Sequence, residues 1–238
     1  MSVHAVSARR RRKALAIIAG GTAVGVAGLV TLAAWNDNEW VFGGAGPDGE
    51  SGVGTSQFNV VQNAWEGTSA PTTADFADYE TEPGDALTFN VDPAGLTPGD
   101  TIYAPVALKT DSDSIGGTLT LQPAVPFEDA THVVVDAGDA LWDALTYSVR
   151  VTTTAATAEN CSATGFASAG SPIVDGAGLD DVLDGTSGFV SQTLQADGQD
   201  VQYYCFAITL PNDPANQNLQ GRTVFPAWRF AASSVTGN

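Results

Sequence analysis

The chain has 238 residues, with 27 acidic and nine basic side chains and a formal net charge of −18. Five of the nine bases stand together at Arg9–Lys13, so residues 34–238 carry 27 acids against Lys109, Arg150, Arg222 and Arg229, a net −23. A surface of that sign repels phosphate backbones and anionic lipid, which excludes nucleic acid as a partner.

In chain order, the basic cluster Arg9–Lys13 precedes an uncharged, Gly/Ala-rich run from Ala14 to Ala34 and a polar boundary at Trp35-Asn36-Asp37. These are the parts of an export signal, and they predict a protein made inside the cell that works outside it. Thr31-Leu32-Ala33 supplies small residues before a cut at Ala33–Ala34. The run is also near the ~20 residues that span a bilayer, so an uncleaved anchor with the arginines in the cytoplasm is the alternative. Four consecutive arginines are read as a basic n-region rather than as a twin-arginine signal.

The residues Thr31, Ala33, Ala34, Trp35 and Asp37 form a Thr-x-Ala-Ala-aromatic-x-Asp boundary. This resembles the signal handled by the SipW type of signal peptidase, whose substrates are the TasA/camelysin-like secreted proteins of Gram-positive bacteria. Leu96-Thr97-Pro98-Gly99-Asp100 resembles a turn of the same group. With the Cys205–Pro211 strand, the layout is most similar to the actinobacterial exported proteins that carry this alternate signal. The resemblance implies cleavage at Ala33–Ala34, signal peptidase as the partner during export, and a role in the cell surface or biofilm matrix.

Downstream of the boundary, Trp35, Trp40, Val41 and Phe42 make a short strand candidate, followed by the Gly-rich stretch 43–49 as a flexible linker. The expected organisation is a signal peptide over 1–33, strand and linker over 34–53, and one all-β domain over 54–238. About 205 residues suffice for such a domain with a real core. Phe58–Val61 begins its packed body, residues 66–85 read as loop, and Leu87–Val91 alternates as a strand. Pro98-Gly99 is a type II turn signal, with proline presetting φ and glycine accepting a positive one. After it, Ile102, Ala104, Val106 and Leu108 share one strand face, and Pro105 predicts an edge or a bulge. A second turn over 112–117 feeds Leu119 and Leu121. Leu145, Tyr147, Val149 and Val151 alternate most cleanly, and residues 162–186 read as a long surface excursion. Tyr204, Phe206, Ile208 and Leu210 form another strand face, and Val224, Trp228 and Phe230 form the last, interrupted by Pro226. Eight to ten such strands predict a β-sandwich of jelly-roll size. Cys161 and Cys205, the two cysteines, are expected to form a disulfide outside the cell.

No catalytic set stands out, and no enzymatic activity is expected. His132 is the one histidine beyond the signal, and no His-Glu-x-x-His is present, although camelysin-like proteins have been classed as metallopeptidases. Gly67-Thr68-Ser69-Ala70-Pro71 lacks the closing glycine of a nucleophile elbow. The stretch Asp175–Gly185 resembles a loose Ca²⁺ loop but lacks the ligand spacing and the distal glutamate, so no metal site or cofactor is assigned. Trp35, Trp40, Trp65, Trp142 and Trp228 include candidates for a sugar-stacking platform, which makes a secreted carbohydrate-binding module the alternative function. The leading expectation is a secreted structural protein of the cell surface or matrix. It would join other copies, or other matrix and cell-wall components, through its mature N-terminal strand.

Overall fold

The computed structural model describes residues 45–46, 49–50, 55–65, 69–182 and 190–235. The chain divides into two units, Met1–Gly54 and Thr55–Asn238. In the first, β1 (Ala45–Gly46) pairs antiparallel with β2 (Gly49–Glu50). The stretch expected as plain linker therefore holds a short ladder, bracketing the turn-forming residue types Pro47 and Asp48.

The second unit is an all-β sandwich of two antiparallel sheets. Its strands are β3 (Val60–Ala64), β4 (Thr101–Thr110), β5 (Gly117–Pro126), β6 (Thr146–Thr152), β7 (Ser171–Gly178), β8 (Gln192–Leu194), β9 (Gln202–Thr209) and β10 (Pro226–Ser234). One sheet has the order β3-β4-β9-β6-β7 and the other β10-β5-β8. Apart from β3–β4 and β6–β7, each strand passes to the opposite sheet, so the core closes only when distant segments meet. Period-two alternation aims Tyr147 and Val149 of β6, Tyr204, Phe206 and Ile208 of β9, and Leu119 and Leu121 of β5 into one buried cluster. Phe206 meets Trp228 at 5.1 Å and Tyr204 meets Phe230 at 4.7 Å between ring centroids, which locks β10 onto the larger sheet.

Four local expectations are corrected. Leu87 and Phe89 pack against the core from an extended segment that joins no ladder; Asn90 instead exchanges hydrogen bonds with Tyr103 at the head of β4. Pro105 lies in an internal strand. It is tolerated because β3 pairs with β4 only as far as Val106, so no ladder partner on that side awaits the missing N–H. The excursion over 162–186 contains β7, whose Ile173 and Val174 are buried. Pro226 opens β10 rather than interrupting it, at a position where a strand accepts proline. The Pro98–Gly99 turn forms as expected: Asp100 N–H donates to Thr97 O at 2.9 Å, Gly99 takes φ 101°, and the Asp100 carboxylate accepts from Thr97 N–H and Oγ1.

The outward face of the larger sheet is covered as well. Trp65, Ala107, Ala158 and Tyr203 form a second cluster, joined by Ala70, Phe76 and Val201. Lys109 is buried there with its ammonium 4.7 Å from the Phe76 ring centroid. Cys161 is bonded to Cys205 on this face, as expected for the two cysteines of the chain.

Candidate functional site

Because β3 ends one sheet and β10 ends the other, the sandwich has an open flank between them. The flank is a groove of about 870 Å³. Its floor and walls include Phe58, Val60, Leu108, Trp228 and Phe230, and the segment 78–84 forms its rim. The two edges differ. The edge of β3 is partly closed by Ala77, which exchanges both backbone hydrogen bonds with Gln62 at 2.9 and 3.0 Å. Among the described residues β10 pairs with β5 alone, so its other edge is free over Pro226–Ser234. A register shift between Trp228 and Phe230 bulges it and leaves Arg229 exposed. A bulge, a proline and a charge are devices that limit indiscriminate pairing at such an edge. The rim carries Asp78, Glu80 and Glu82 with the half-exposed Tyr79, and the Glu82–Pro83 peptide is cis.

The residues singled out by sequence fall in different places. Ala33, Ala34, Trp35, Trp40, Val41 and Phe42 lie outside the described residues. Trp65 and Trp142 are buried, which leaves Trp228, packed on Tyr147 and Phe206, as the described tryptophan that lines the groove. His132 is exposed, with Nδ1 2.8 Å from Asp129 Oδ1 and its ring between Phe127 and Phe225. The Thr131 hydroxyl, the Thr131 N–H and the His132 N–H all donate to that carboxylate and hold it well below the usual range. Asp175 stands in β7, and Asp181 accepts the Gly178 N–H at 2.6 Å, closing the turn after it. Among the described residues no group of three or more His, Cys, Asp or Glu is placed to hold a metal ion. No helix of those residues is long and apolar enough to cross a membrane.

Sequence reasoning missed a buried charge pair. Asp136, its side chain 1% exposed, accepts from Leu141 and Trp142 N–H at 2.9 Å each and from Arg222 Nη1 at 2.6 Å. It anchors the start of the short helix Ala140–Ala144 and ties it to the segment leading into β10. The readable signal was an aspartate a few residues ahead of an apolar run, as at other helix starts. The groove itself had no such signal, since its two edges are over 150 residues apart in sequence. No family model matches this chain, and no curated protein matches it.

Proposed function

We propose that this protein is a secreted structural subunit of the cell surface or extracellular matrix. In this reading residues 35–42 of one mature copy lie along the free edge of β10 in the next. The observation that supports it most directly is that edge: the side of the nine-residue strand β10 that faces away from β5 has no ladder partner among the described residues and lies beside an apolar groove. An extended segment docked there gains main-chain hydrogen bonds from the edge and apolar burial from the groove. Trp35, Trp40, Val41 and Phe42 are of the type such a groove takes. The 12 residues from 43 to 54 reach at most about 40 Å when extended, and the β1–β2 pairing shortens that span. Docking on the next copy is a head-to-tail contact, which grows into a filament when it does not close.

The test is negative-stain microscopy of mature protein beside a version lacking residues 34–42 and beside Ala232→Glu, which puts a carboxylate into the exposed end of the groove. Filaments from the mature protein alone are expected, and monomers from all three under every salt condition sink the mechanism. Intact mass of the exported protein checks the cut at Ala33–Ala34; a product that keeps residue 13 and extracts with membranes establishes the anchored alternative. A second reading, carbohydrate binding, draws on Trp228, Tyr79, Gln62 and Gln122, which all line the same groove. Glycan-array binding that disappears in Tyr79→Ala would promote it.

A further inference from the structure

We infer that the Cys161–Cys205 bond is a redox-sensitive clasp on a separable surface layer, residues 154–169, rather than a brace of the sandwich core. The layer lies on the outward face of the larger sheet. Its hydrogen-bonded backbone N–H groups, from Thr157 to Ala169, find their backbone acceptors between Thr154 and Phe166, and none of them joins a strand. A segment that satisfies its own backbone and buries little is a cooperative unit with low opening cost. Only Ala158 and Ala169 within it are buried.

Few contacts hold it to the sheet. Ala158 enters the cluster with Trp65, Ala107 and Tyr203. The Phe166 ring lies 5.6 Å from Tyr103 and 5.3 Å from the Arg150 guanidinium, whose Nη1 donates to Gly170 O at 2.8 Å. The bond to Cys205, in the middle of the central strand β9, is the covalent tie. No residue of the layer belongs to the main core cluster, which fills the other side of the sheet. Removing the tie therefore leaves the core contacts in place.

The chemistry is directional. Cys161 is half-buried and Cys205 is 2% exposed, so a dithiol reductant reaches the Cys161 sulfur first. Its thiolate bonds to Cys161 Sγ while the S–S bond breaks, and Cys205 leaves as a thiolate that takes up a proton. The second thiol of the reductant then displaces Cys161 and closes a cyclic disulfide. Two electrons and two protons pass to the protein, the reductant is oxidised, and the layer is free to lift from Tyr103, Ala107 and Tyr203.

Hydrogen exchange of the whole purified protein, with and without dithiothreitol, tests this. Amides of 154–169 are expected to exchange at least ~10-fold faster after reduction, while those of β4, β5, β6 and β9 stay within ~2-fold. The variant Cys161→Ser must reproduce the reduced pattern without reductant. Loss of protection throughout the sandwich, in either experiment, makes the bond a core brace and overturns the inference. Unchanged protection of 154–169 overturns it too, because the layer would then be held without the bond.

Discussion

At the scale of single residues, Asp136 shows how a charge survives burial. Desolvation pushes its carboxyl upward, but the Leu141 and Trp142 amides and the Arg222 guanidinium outweigh that and leave it below the usual aspartate range. A carboxylate whose folded value is depressed adds stability above its unfolded value, near ~3.9, and loses it as pH falls through the folded one. Wild type is therefore expected to exceed Asp136→Asn by about 2 kcal/mol in urea unfolding at neutral pH, with the gap narrowing as the pH falls below the unfolded value and through the depressed folded one. Gly170 carries a different constraint. Its φ is 127°, and a Cβ there would strike the Val151 carbonyl, which belongs to a strand and cannot retreat. Gly170→Ala is expected to cost about 2 kcal/mol or more, read as a lowered thermal midpoint. The glycine was visible in sequence, but the carbonyl it faces is 19 positions earlier and was not.

At the scale of elements, β9 joins the two cores of the domain. Tyr204, Phe206 and Ile208 face the sandwich interior, while Tyr203 joins the outward cluster and Cys205 is bonded to Cys161 on that side. The alternation of β6 and β9 was legible because each interior side chain recurs at the strand period. The covering of the other face was not, because Trp65, Phe76 and Ala158 reach it from segments distant from β9 that carry no strand period. Phe206 is 1% exposed and packed at a tilt on Trp228, and its change to Ala is expected to cost about 3–5 kcal/mol. By contrast Phe166→Ala in the oxidised protein is expected to cost under about 1.5 kcal/mol, since that ring is half-buried in a layer the disulfide still holds. Comparing their urea midpoints separates core from cover.

At the scale of the whole molecule, charge and the open flank act against each other. Residues 34–238, at a net −23, repel other copies of themselves, and the rim of the groove adds Asp78, Glu80 and Glu82 where a neighbour would approach. Assembly through that flank is expected to strengthen as salt rises from about 0.01 to 0.15 M, where the screening length falls from ~30 to ~8 Å. Light scattering of the mature protein across that range checks the direction; association that weakens with salt would place the contact between opposite charges instead. Arg229, exposed on the bulge of β10, is the one cation among the described residues that line the groove.

The sequence by itself determined the all-β class, most strand positions, the Pro98–Gly99 turn and the pairing of Cys161 with Cys205. Each of these rests on information within a few residues, or on there being only two cysteines to pair. Tertiary structure alone decided that the eight described strands of the second unit divide five and three. It also set the edge that remains free, the burial of Asp136 against Arg222 and the seat of residues 154–169 on the outside of β9. Those depend on which distant segments meet. Strand propensity is blind to that, since the same alternating pattern serves an edge or a centre equally well.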